Sequence, residues 1–172
     1  MNDTFSVGSM FAGVGGICLG FQQANGSASN RRYELSWANE IDEYACATYR
    51  ANFSHLLVKG DIEMILDPSG IESVEERHRY IKAKRDILSH RTDILTAGFP
   101  CQAFSIAGDG KGFEDERGIL FRSVIEMAKT IGAVHGIPRV LFLENVRNLK
   151  VHDGGRTYRT ITEEIRSLGY SI

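Results

Sequence analysis

Short apolar, β-branched or aromatic runs alternate along this chain with segments whose apolar residues recur at helical spacing. The short runs predict strands over 5–11, 33–39, 57–59, 93–97 and 139–143. The helical-period segments predict helices over 15–24, 42–52, 71–89, 118–133 and 156–168. Asp42 stands where the second helix needs an N-cap, and Gly169 where the last needs a C-cap. Strand followed by helix, repeated about five times, is the pattern of an α/β fold, a mostly parallel sheet with helices on its faces. Beyond Gly169 the residues YSI read as the start of a further strand that does not continue. The sheet is therefore expected to be incomplete at the C-terminus, as in a fragment or one piece of a split protein.

Composition narrows this picture. A chain of 172 residues suits one ordinary domain. With 42% hydrophobic and 24% charged residues it looks globular, and no apolar run of about 18 residues or more is present to cross a membrane. The opening MNDTFSVGSM lacks the basic-then-apolar pattern of a secretory signal, so a cytoplasmic location is expected. Cys18, Cys46 and Cys101 have neither metal-site spacing nor an even count, so reduced thiols and no metal are expected. The net charge of −2 argues against a complete surface for gripping duplex DNA. The densest basic stretch, 75–91, reads as an exposed helix face in which Glu75, Glu76 and Asp86 offset part of the charge.

Four clusters carry candidate chemistry. In SMFAGVGGICLGF an apolar strand runs into Gly13, Gly15 and Gly16 and then a helix, which can bring backbone N–H groups against a ligand or simply make a turn. A dinucleotide fingerprint would place its third glycine at Cys18, so NAD and FAD are disfavoured. Glu40 ends the second strand, where a carboxylate can accept both hydroxyls of a ribose or act as a surface acid. Ile41 would lie on an adenine ring, and Asp61 could take its amino group or serve a plain turn. DILTAGFPCQAFSIAG is a strand stopped by Pro100, which presents Cys101 in one direction, as suits a nucleophile; a buried inert thiol is the alternative. PRVLFLENV ends in Glu144-Asn145-Val146, which places Glu144 on the same sheet rim as Cys101. A protonated carboxyl there could donate to a ring nitrogen, and a helix-capping acid would look the same. The Gly-rich stretch 102–118 is long for a loop in a compact domain, which favours a functional segment.

Taken in order, FAGVGG, Glu40, GDI, GFPCQAFSIAG, RGILF and ENV resemble the motifs of the DNA cytosine-5 methyltransferase family, over about residues 5–170. The resemblance implies a Rossmann-like S-adenosylmethionine-dependent methyltransferase fold. It implies catalysis by Cys101, adding to carbon 6 of a cytosine, and by Glu144 at ring nitrogen 3. The cofactor is S-adenosylmethionine, with contacts carried over to Phe11, Gly13, Gly15, Glu40, Ile41, Asp61, Ile62, Pro100 and Leu120. Gln102 and Ser105 fall on the substrate and lid segment, where Gly108, Gly110 and Gly112 supply hinges, and Asn145 positions Pro100. The implied partner is double-stranded DNA with the target base flipped out of the stack.

The departures from that pattern also matter. Ser9 stands where the family often has an acid, and Ile41 where some members have an aromatic ring. After Ile172 the Gln-x-Arg-x-Arg motif, the target recognition domain and the last cofactor motif are missing, so a second chain or an absent C-terminal region is expected to supply recognition. Two other readings stay open: an inactive or regulatory S-adenosylmethionine-binding remnant, and an RNA cytosine-5 methyltransferase. An apolar sheet edge left by missing strands would favour self-association of the isolated chain.

Overall fold

The computed structural model describes residues 3–26, 30–99 and 116–172. Five strands form one parallel sheet: β1 (Asp3–Met10), β2 (Arg31–Glu40), β3 (Leu56–Lys59), β4 (Ile94–Gly98) and β5 (Val140–Glu144). Their order is β3-β2-β1-β4-β5. The chain works outward from β1 to β3 and then returns to β4 on the other side of β1. That reversal opens a crevice at the carboxyl ends of β1 and β4, the place where open parallel sheets bind ligands. The helices are α1 (Gly16–Ala24), α2 (Glu43–Asn52), α3 (Ile62–Leu66), α4 (Val74–Leu88), α5 (Glu116–His135) and α6 (Arg156–Ser167).

All five expected strands and all five expected helices are present, with shifted ends. The helix expected from residue 71 begins at Val74, because Ser73 Oγ accepts from Glu76 N–H and caps it there. The helix expected over 118–133 runs longer, from Glu116 to His135. Helix α3 was not expected from the pattern. Five residues are too few to show a period, and it exists because Asp61 caps it by accepting from Glu63 N–H at 2.9 Å and because Ile62 and Ile65 are buried.

The main core gathers Met10, Trp37, Leu95, Phe121 and Ile131 with residues of α3 to α6. Trp37 is fully buried, and its Nε1 donates to Thr92 Oγ1 at 2.9 Å. It fits because Gly8 on β1 has no side chain: a Cβ there would lie 2.3 Å from the indole. A smaller cluster on the other face joins Cys18 of α1 to Ala38, Tyr49 and Phe53. At the far side of the sheet, Val140 and Phe142 of β5 are exposed, and among the described residues β5 pairs only with β4. No helix among the described residues is long and apolar enough to cross a membrane.

Candidate active site

The turn after β1 is built on left-handed backbone. Phe11, Gly13 and Gly15 have φ of 52°, 56° and 95°. Glycine takes such values without a steric penalty, whereas Phe11 adopts one at a cost. At Gly15 space favours glycine as well, since a Cβ would sit 2.2 Å from the Phe53 ring and force that ring to shift. Beside Gly13 and Gly16, by contrast, an added Cβ would meet nothing within 4 Å. The turn therefore has a packed underside against α2 and an open face at the rim.

Glu40 closes that rim. Its Oε2 accepts from Gly13 N–H at 2.7 Å, and its Oε1 accepts from the N–H groups of Ile41 and Asp42, both at 2.8 Å. A buried carboxylate needs such donors, and Glu40 is 9% exposed. Each oxygen keeps acceptor capacity for a further donor from the open side. Ile41 is 61% exposed and free to cover a flat ring. Asp42 caps α2 by accepting from Ala45 N–H at 2.7 Å.

Asp61 follows β3, half-buried, at the start of α3. The Ile62 side chain is in the core, so of that residue only the backbone N–H, in the first turn of α3 and outside the helix's own ladder, is offered to a ligand. Leu120 is partly buried against the same core. The glycine turn, Glu40 and Asp61 thus stand in sequence along the ends of β1, β2 and β3.

The other half of the rim lies on β4 and β5. Their register pairs Gly98 with Glu144. A Cβ on Gly98 would come within 3.4 Å of Glu144 Oε2, so the glycine leaves room for the carboxylate. Asn145 Nδ2 donates to Phe99 O at 3.0 Å, and Val146 N–H donates to Asn145 Oδ1 at 2.9 Å. This ties the chain entering Pro100-Cys101 to the end of β5. Pro100, Cys101, Gln102 and Ser105 lie outside the described residues, as do Gly108, Gly110 and Gly112. Glu144 is exposed, so the described residues alone do not shield its carboxyl from water.

Beneath the glycine turn runs a polar thread that the sequence did not reveal. Tyr49 Oη lies 3.0 Å from Cys18 Sγ and 2.6 Å from His55 Nε2, and Thr96 Oγ1 donates to Ser9 Oγ at 2.9 Å. Burial pushes the Cys18 thiol and the Tyr49 hydroxyl up and pulls the His55 imidazole down from their ordinary values. Cys18 is therefore a neutral packing group, not a second nucleophile. Ser9, in the position where the family often carries an acid, finds its partner in Thr96 on the neighbouring strand. The sequence also hid the roles of Phe53 and Asn39. Asn39 had one available signal, a polar residue among the buried positions at the end of β2.

A family model for C-5 cytosine-specific DNA methylases matches residues 5–172. Type II methyltransferase M.Bsp6I of Bacillus sp. (strain RFL6) is 41% identical over 167 residues, covering 96% of this chain and 44% of its own length. Type II methyltransferase M.NgoBI of Neisseria gonorrhoeae is 42% identical over 165 residues, covering 95% of this chain and 41% of its own. Type II methyltransferase M.HpaII of Haemophilus parainfluenzae is 40% identical over 173 residues, covering 100% and 40%. The chain thus spans less than half the length of these relatives. Among solved structures, the S. pombe Dnmt2 methyltransferase shares the fold, with a TM-score of 0.59 at 19% identity over 92% of this chain and 41% of that one. With the glycine turn, the Glu40 clamp and the Gly98–Glu144 pairing on one rim, and a family match over nearly its whole length, this chain belongs to the C-5 cytosine-specific DNA methylase family.

Proposed function

We propose that this chain is the cofactor-binding and nucleophile-bearing part of a DNA cytosine-5 methyltransferase of a restriction-modification system, acting in the cytoplasm. The observation that carries the reading is the β4–β5 register. It sets Glu144 beside Gly98, three residues before Cys101, while Asn145 anchors the carbonyl of Phe99 between them. On this reading the nucleophile and the proton donor share one end of the sheet, next to a turn suited to a nucleoside.

The residues present fit S-adenosylmethionine. Glu40 suits the ribose hydroxyls, and the open face of Gly13 and Gly16 leaves room for the chain that carries the sulfur. Ile41 would cover the adenine, with Asp61 accepting from its amino group and the Ile62 N–H donating to the ring. Bound there, S-adenosylmethionine supplies a methyl group on positively charged sulfur.

The Cys101 thiolate forms a bond to carbon 6 of a flipped cytosine, and the displaced electron pair makes carbon 5 nucleophilic. Glu144 holds a proton at ring nitrogen 3 and so stabilises the charge that the addition places on the ring. Glu144 is exposed in this chain, so the docked base itself would cover its carboxyl. Carbon 5 would take the methyl group as its bond to sulfur breaks, leaving S-adenosylhomocysteine, and loss of the carbon-5 proton to a base and of the thiolate would then restore the double bond. Target recognition is assigned to a part of the protein outside these residues, since the chain spans 40–44% of the three relatives named above and carries a net charge of −2.

Calorimetric titration of this chain with S-adenosylmethionine tests the cofactor half. Saturable binding by the unchanged chain, weakened about 100-fold or more in Glu40→Ala, is expected from the loss of a charged pair of hydrogen bonds to ribose. Equal affinity in both proteins would remove Glu40 from the site and overturn the reading.

A further inference from the structure

Glu40 and Asp61 sit on different strands, so the separation of their carboxylates depends on how the exit of β3 is held against β2. The main-chain ladder holds it weakly. β3 has four residues and, among the described residues, pairs only with β2. The end of this pairing is reinforced by one side chain. Asn39, paired with Val58 and 2% exposed, donates through Nδ2 to Val58 O at 3.2 Å and to Gly60 O at 2.9 Å. Its amide therefore grips the carbonyls on both sides of Lys59. Gly60 N–H donates to Glu40 O at 3.0 Å, which closes the brace from the main chain. On its other side Gly60 is bounded by the Tyr80 ring, 3.0 Å from where a Cβ would stand. The next residue is Asp61, whose Oδ1 is engaged by Glu63 N–H while Oδ2 has no hydrogen-bond partner among the described residues.

A hydrogen bond to a carboxylate is lost when the oxygen moves by about 1 Å. The brace is thus placed to decide whether Asp61 reaches the purine while Glu40 holds the ribose. We infer that Asn39 is a specificity-determining positioning residue: by bracing Val58 and Gly60 against β2, it sets Asp61 at the distance from Glu40 that accepts an adenosine and rejects a nucleoside without the purine amino group. The inference rests on the cofactor reading above and adds a residue that does not touch the ligand.

The test compares binding of S-adenosylhomocysteine with that of S-inosylhomocysteine, in which a carbonyl oxygen replaces the amino group and confronts Asp61 with lone pairs. By calorimetry the unchanged chain should prefer the adenosine form by about 100-fold or more, as polar sites reject mismatched partners. Asp61→Ala should reduce that preference by about tenfold or more, the remainder coming from the Ile62 N–H, which faces the proton on the inosine ring nitrogen. This arm checks the cofactor reading by itself. If the unchanged chain binds neither form, or both alike, that reading falls and this inference with it.

Given the preference and its reduction in Asp61→Ala, Asn39→Ala should lower it by about tenfold or more while affinity for the inosine form changes by less than about 3-fold. Asn39→Ser, which keeps one donor, should fall between and serves if the alanine variant does not fold. Ile131→Val, a core change on α5, should lower the melting temperature and leave the preference alone. Equal weakening of both nucleosides in the Asn39 variants, with the preference kept, would reduce Asn39 to a structural residue and overturn the inference.

Discussion

Single residues at this site do two things at once. Glu40, the proposed ribose acceptor, also satisfies three backbone N–H groups that would otherwise be left at the rim. Gly15 shapes the turn and makes way for Phe53, which packs on Tyr49 with ring centroids 4.5 Å apart. Gly15→Ala therefore combines a left-handed backbone, costing about 1–2 kcal/mol for a residue with a Cβ, with displacement of a buried ring. Its melting temperature should fall by several degrees, roughly 2–4 °C for each kcal/mol in a chain of this size. Cofactor affinity should fall with it. Gly98→Ala is the contrasting case: its φ is ordinary and its closest new contact would be Glu144 Oε2 at 3.4 Å. Melting should barely move, and any defect should show in the chemistry that depends on Glu144. A large loss of stability in Gly98→Ala would show that the glycine serves packing instead.

Among the elements, the start of β4 is held by a charged group. Asp93 is buried, and its Oδ2 accepts from the N–H and Oγ of Ser6 while Oδ1 accepts from Arg91 Nε and one terminal guanidinium nitrogen. Its main chain adds bonds to Ser6 on one side and to Arg139 and Val140 on the other. Burial alone would raise the carboxyl pKa, but the Ser6 donors and the Arg91 guanidinium outweigh it and hold Asp93 below the ordinary value. An unfolded aspartate titrates near about 3.9. The stabilising effect is therefore fully present above that pH and is lost as pH falls through the lower folded-state value. Asp93→Asn should lower the melting temperature at pH 7 and flatten the fall in stability below about pH 4, where the unchanged chain loses this contribution. Parallel acid limbs in thermal melts of the two proteins would show that Asp93 does not couple β4 to pH.

For the molecule as a whole, the two edges of the sheet differ. At the β3 edge, helix α4 lies close enough for Tyr80 to bound Gly60, whereas β5 presents Val140 and Phe142, the latter 48% exposed. Behind β5, an apolar cavity of about 470 Å³ is lined by Leu141, Leu143, Leu149, Ile161 and Tyr170 among others. An exposed strand edge beside uncovered apolar surface is a template for association. The chain by itself should dimerise or aggregate at high concentration, and Phe142→Lys should suppress this without altering cofactor affinity. Light scattering checks it: a clean monomer for the unchanged chain across the concentration range would count against the β5 edge as a sticky surface.

What could be read from the chain alone followed from local rules. Short apolar runs and period-3.6 patterns depend on neighbours in sequence, so the five strands, the five longer helices and the α/β class were legible. So was the family resemblance, since Pro100-Cys101 and Glu144-Asn145 are contiguous motifs. That the candidate groups share one rim also followed, because a parallel sheet brings its carboxyl ends together, but their order along it came from the strand order. Other features were decided only by tertiary structure. Helix α3 is too short to show a period and exists through its Asp61 cap and its buried isoleucines. Gly8 and Gly15 are glycines because Trp37 and Phe53, far away in sequence, occupy the space a Cβ would need. Asn39 reads as an ordinary polar strand residue until the β2–β3 register sets its amide between two carbonyls. For Gly8, Gly15 and Asn39 the deciding contact joins segments whose separation along the chain carries no pattern. Only packing could bring them together.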